Sequence, residues 1–153
     1  MLKQILIATD GSASAQEAVE LGLELAAEQR AQPVFIHVAP AFDSLPAPGF
    51  GVGGPAAMHH VLSEHDWSSL ESASELAAQK GIEAKAELAV GNPVKEIVRY
   101  ANAIGADLIV VGSHGHGAIA SALLGSVSLG VLHEAQRPVM VVRGSHVPAA
   151  VAV

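Results

Sequence analysis

The chain predicts an open α/β fold: a five-stranded parallel sheet in the order 3-2-1-4-5, with helices on both faces. Five short apolar runs alternate with four stretches of helical period, giving β-α-β-α-β-α-β-α-β. The runs are mostly apolar throughout, as strands covered on both faces are, instead of alternating apolar with polar. The 153 residues are 50% hydrophobic but only 3% aromatic, enough for one core filled by Ala, Val, Leu and Ile. Right-handed crossovers then leave 3-2-1-4-5 as the common arrangement. The expected organisation is one domain over residues 1–144 and a loose tail over 145–153.

Taken in order, Leu2 to Ala8 reads as a buried first strand bounded by Thr9-Asp10-Gly11-Ser12. Ser14 and Glu17 have the spacing of a capping box, opening a helix to about Gln29. Pro33 interrupts, and Val34 to Val38 is the second strand. Ala39 to Pro55, with four prolines and four glycines, is a long surface loop. The second helix is expected from about Ala57 to Lys80, with Gly81 at the position after its cap. Ile82 to Val90 is a third strand with an exposed face or edge. Asn92 caps a third helix that has Pro93 at its first position and an apolar stripe of Val94, Ile97, Val98, Ala101 and Ile104. Asp107 to Val111 is the fourth strand, Ser126 to about Ala135 the fourth helix, and Pro138 to Arg143 the last strand.

Composition removes several classes of function. No apolar run approaches the ~20 residues of a membrane-spanning helix, and Met1-Leu2-Lys3 runs into a strand without a signal-peptide pattern. With no cysteine there are no disulfides, thiolate metal sites or thiol nucleophiles, which suits a cytoplasmic location. A net charge of −7, with eight Lys and Arg in no basic run, argues against nucleic acid as a partner.

Chemistry concentrates where strand four ends. Val110-Val111-Gly112-Ser113-His114-Gly115 runs from apolar strand into a glycine turn, and Gly125-Ser126 opens a helix further on. Glycines permit close backbone approach, and a helix start offers unpaired N–H groups and a positive dipole end, together a seat for phosphate. Strand order 3-2-1-4-5 makes strands one and four neighbours where the winding reverses, the crevice in which such sheets bind ligands. Asp10 ends one of those strands and Gly112 the other.

These residues resemble the universal stress protein family, in its ATP-binding branch. Gly112, Gly115, Gly125 and Ser126 reproduce that branch's glycine motif without a gap. Leu6 to Ser12, Ile36 to Val38 and Arg137 to Val142 are similar to its first, second and last strands. The resemblance implies an adenine-nucleotide site. Val38 would read adenine through its backbone, with Ala8 and Thr9 in the same pocket. Asp10 would face ribose and phosphate, directly or through Mg²⁺. Val111 and Gly112 would lie against the nucleoside, while Gly115, Gly125, Ser126 and Val127 would hold phosphates. It also implies a homodimer paired through the last strand. That agrees with Val139, Met140, Val141 and Val142 being an uncharged apolar edge, a hazard if left bare.

Other signals weigh less. Gly49, Gly51 and Gly54 spell a dinucleotide fingerprint, but inside a proline-rich loop instead of a tight strand-to-helix turn. His59, His60 and His65 near Asp66 read as surface histidines, not metal ligands. His114 and His116 flank Gly115, where each either contacts phosphate or faces water. No Walker-type lysine and no G-x-S-x-G elbow is present. The expected function is an ATP-binding sensor or regulator of stress response, at most a weak ATPase. The alternatives are a dimeric interaction module that ignores nucleotide and a slow adenine-nucleotide hydrolase.

Overall fold

The computed structural model describes residues 1–41, 62–114 and 124–144. Nine elements follow in order: β1 (Gln4–Ala8), α1 (Ala13–Gln29), β2 (Gln32–Ala39), α2 (Glu64–Gln79), β3 (Lys85–Val90), α3 (Pro93–Ile104), β4 (Leu108–Gly112), α4 (Ser126–Glu134) and β5 (Val139–Val142). All strand pairs are parallel and the sheet order is β3-β2-β1-β4-β5, as the alternation of elements implies.

Side-chain alternation along the strands divides the core into two layers. Ile5, Ile7, Phe35 and Val110 pack with Leu23 of α1 and Leu70 of α2 on one face. Leu6, Val34, Ile36, Ile109 and Val111 pack with Ile97 of α3 and Val131 of α4 on the other. Burying each such side chain contributes about 1.5–3 kcal/mol relative to leaving it in water. Ile7 of β1 stands beside Val110 of β4, so the chain beyond each strand emerges at the same carboxyl edge. β3 is an edge strand with Lys85, Ala86 and Val90 exposed, in line with its looser alternation.

Several local expectations are corrected. Ser14 does not cap α1; Ser12 does, its hydroxyl accepting from the Ala15 amide at 3.3 Å, and the helix starts at Ala13. The Ser14 hydroxyl is committed instead to the backbone of His114. Pro33 lies inside β2. Its missing N–H costs nothing, because the Gln32 amide bonds β1 through the Lys3 carbonyl, while pairing with β3 begins only at Val34. β3 starts at Lys85, not Ile82, because Ile82 closes the end of α2: its amide bonds the Ala77 carbonyl and that of Gly81 bonds Ala78. α2 starts at Glu64 with Ser63 as cap, leaving Leu62 outside the helix. The Asn92 cap and Pro93 start of α3 are as expected, with Asn92 accepting from the Lys95 amide at 3.1 Å.

Most of the Gly/Pro-rich segment, including Gly49, Gly51 and Gly54, lies outside the described residues, as do His59, His60, Gly115, His116 and the tail 145–153. Among the described residues, no helix is long and apolar enough to cross a membrane.

Candidate functional site

A cleft of about 500 Å³ opens at the carboxyl edge of the sheet, across the junction of β1 and β4. Ala8, Thr9 and Asp10 form one part of its wall, and Val38 another. Val111 and Gly112 form a third, and Gly125, Ser126 and Val127 line the start of α4. Every expected site residue within the described chain therefore faces one cavity, although these residues come from four separate segments.

Each segment is held by identifiable bonds. At the end of β1, the Thr9 amide donates to the Ile36 carbonyl at 2.9 Å, and Asp10 Oδ1 accepts from the Ser12 amide at 2.9 Å. That Asx turn fixes the carboxylate next to the first turn of α1. After β4, the Ser113 amide donates to the Val142 carbonyl at 2.8 Å and its carbonyl accepts from the Gly125 amide at 2.6 Å. The Ser128 hydroxyl lies 3.1 Å from the Ser113 carbonyl and 2.9 Å from that of Gly125. The start of α4 is thereby tied to the end of β4.

Ser14 completes this clamp from the other side. Its hydroxyl donates to the His114 carbonyl at 2.8 Å and accepts from the His114 amide at 3.1 Å. Gly112 makes the approach possible. A Cβ there would lie 2.8 Å from both the carbonyl carbon and the oxygen of Ser14, and nearer still to its hydroxyl. The residue must be glycine because α1 passes against it, independently of any ligand.

The cap of α4 is Gly125, which has no side chain to bond the first-turn amides. The residues of that first turn, Ser126, Val127 and Ser128, line the cleft, and a helix start of this kind is a seat for negative charge. Asp10 supplies a carboxylate, and among the described lining residues there is no Lys or Arg. The site thus offers negative charge a helix end, and Asp10 offers a carboxylate to a divalent cation. One carboxylate plus phosphate oxygens and water is the donor set Mg²⁺ prefers. Among the described residues no cluster of three His, Asp or Glu side chains is placed to hold a metal by itself. His114 lines the cleft with its Nδ1 3.1 Å from the Ser113 hydroxyl.

Sequence reasoning missed His37 and Asp66. Both line the cleft and both are buried, at 6% and 7% exposure. His37 Nδ1 lies 2.8 Å from the Thr9 carbonyl and Nε2 lies 2.7 Å from Asp66 Oδ1. A carbonyl only accepts, so Nδ1 carries a hydrogen. Asp66 Oδ2 accepts from the amide and hydroxyl of Ser63 at 2.8 and 2.9 Å. Burial pushes the Asp66 carboxyl up, but the bonds from His37 and Ser63 outweigh it and hold the group below its ordinary value. The signal was legible in principle: a histidine within the apolar run Val34-Phe35-Ile36-His37-Val38 requires a partner, and Ser63 stands three residues before Asp66.

Comparison with known proteins agrees with this architecture. The universal stress protein family model matches residues 1–143. The universal stress protein YxiE of Bacillus subtilis is 33% identical over 150 residues, covering 94% of this chain and all of the relative. Among solved structures, the hypothetical protein MJ0577 of Methanocaldococcus jannaschii superposes with a TM-score of 0.76 at 27% identity, over 94% of this chain and 96% of its own. A universal stress protein solved in complex with cAMP superposes with a TM-score of 0.71 at 28% identity, over 94% of this chain and 99% of its own. The chain belongs to the universal stress protein family.

Proposed function

We propose that this protein binds ATP, with Mg²⁺, in the cleft between β1 and β4, and that it acts as a nucleotide-dependent sensor or regulator in the cytoplasm. One observation carries the reading: Asp10, Val38, Gly112 and the uncapped start of α4 converge on a single cleft at the point where the winding of the sheet reverses. The complex of a family member with cAMP supports an adenine nucleotide as the ligand class. In this assignment the Val38 backbone meets adenine beside Ala8 and Thr9, and Val111 and Gly112 flank the nucleoside. Gly125, Ser126 and Val127 take the phosphates, and Gly115 belongs with them by its place in the motif. Asp10 holds Mg²⁺ through the nucleotide. With no Lys or Arg among the described lining residues, Mg²⁺ would supply the positive charge the triphosphate needs.

The same reading makes the protein a homodimer. Val139, Met140 and Val141 of β5 are only partly buried on the sheet edge, and Leu129 and Leu132 of the neighbouring α4 are 54% and 44% exposed. A second β5 laid against the first would cover this apolar edge. The test of the ligand is direct. The chain has one Trp and one Tyr, so a co-purified adenine nucleotide raises its 260/280 nm absorbance ratio, and mass spectrometry of the denatured supernatant identifies it. Protein stripped of nucleotide that binds none of ATP, ADP, AMP or cAMP would instead be an interaction module.

A further inference from the structure

Burial demands partners for His37 and Asp66, and the partners found connect the turn after β1 with α2. His37 is hydrogen-bonded both to the turn after β1 and to α2. From Asp66 the connection runs through the imidazole to the Thr9 carbonyl. Thr9 is followed by Asp10, whose Oδ1 is itself fixed by the Ser12 amide. A carboxylate that orients an imidazole, which in turn orients a ligand-bearing residue, is a recurrent way of holding a site to a fraction of an ångström. Asp66 is in turn fixed by Ser63 and by its place in the first turn of α2, where the helix dipole favours a carboxylate. The ionisable groups that share the cleft wall with the pair are Asp10, His65 and His114. Glu20 of α1 lines the adjoining recess with His65.

We infer that His37 is a positioning residue for the nucleotide site: through its Nδ1 hydrogen bond to the Thr9 carbonyl it sets the turn that carries Asp10, with Asp66 fixing the ring from α2. The inference rests on the nucleotide reading of the cleft for its consequence, though not for its geometry. It differs from a plain structural tether in which ring nitrogen matters. Asparagine at position 37 places an amide where Nδ1 stands and keeps the bond to Thr9, losing Asp66. Glutamine reaches toward Nε2 and keeps Asp66, losing Thr9.

The experiment compares His37→Asn and His37→Gln by calorimetric titration with Mg·ATP, alongside ¹H–¹⁵N spectra of the unliganded proteins. His37→Asn is expected to stay within about threefold of the unmutated affinity, and His37→Gln to lose about tenfold or more, the usual scale for a lost orienting partner. In the unliganded spectra the Asp10, Gly11 and Ser12 amides shift in His37→Gln and hold their positions in His37→Asn. The reverse ranking, or equal losses, would make the couple only an anchor for α2 and overturn the inference. The imidazole ¹⁵N spectrum of the unmutated protein gives a check free of any variant: Nδ1 of His37 carries a hydrogen, and a bare Nδ1 contradicts the inference. If the unmutated protein binds no ATP, the nucleotide reading fails by itself, while the turn amides and the Nδ1 signal still decide the role of His37.

Discussion

Substituting Gly112 by alanine separates two reasons for a glycine at the end of β4. If the glycine serves only to let a nucleotide approach, Gly112→Ala lowers affinity and leaves the unliganded protein as stable as before. The packing gives a different answer. The added Cβ would sit 2.8 Å from the Ser14 carbonyl carbon and oxygen, atoms of a helix backbone that cannot rotate away as a side chain can. α1 must move off β4, and with it the two bonds between the Ser14 hydroxyl and the His114 backbone. Overpacking of this kind costs about 1–3 kcal/mol. At roughly 2–4 °C per kcal/mol for a domain of this size, the melting temperature of nucleotide-free protein falls by about 2–12 °C. Adding Ser14→Gly removes the nearest atom but not the backbone carbon and oxygen, so the double variant does not recover. Calorimetric melting of stripped protein, with urea midpoints as a second measure, reads the effect. A Gly112→Ala protein that melts with the unmutated one, free of nucleotide, would refute the packing argument.

Ser14→Ala removes both bonds to the part-buried His114 backbone, whose carbonyl keeps the Ser12 hydroxyl at 3.3 Å, and is expected to cost about 1 kcal/mol in urea denaturation. Asp66 gives a pH dependence of definite sign. Its folded-state value lies below the ordinary 3.8, so its contribution is complete above that value and is lost as pH falls through the folded one. Asp66→Asn should therefore flatten the acid side of the stability profile, seen as urea midpoints between about pH 5 and pH 3. Val141→Arg places a charge on the β5 edge; light scattering should show a monomer with helix content unchanged in circular dichroism. Asp10→Ala should abolish most of the gain in ATP affinity that Mg²⁺ gives the unmutated protein, measured by titration with and without the metal.

The fold was legible in the sequence because its signals are local and repeat. Apolar runs, a C′ glycine at Gly81 and the Asn92-Pro93 start each depend on neighbours a few residues away, and topology rules then order the strands. The convergence of Asp10 with Gly112 follows from that order alone, and Gly125 joins them through the helix start and the glycine motif. What the sequence obscured depends on partners far along the chain. Ser14 has the spacing of a cap but is taken by His114, a hundred residues later, which moves the cap to Ser12. Pro33 looks like a break until pairing with β3 is seen to begin after it. His37 and Asp66 lie in different elements, and only the packing of α2 against β2 brings them together. Gly112 was read for ligand approach, while its nearest constraint is the backbone of α1.

The central claim is that the cleft across β1 and β4 holds an adenine nucleotide, and isothermal titration of nucleotide-stripped protein with ATP in the presence of Mg²⁺ tests it most directly. The account predicts saturable binding of one ATP per chain, weakened by removing Mg²⁺ and by Asp10→Ala. Absence of binding by folded protein, with Mg²⁺ present and ATP in millimolar excess, would contradict it.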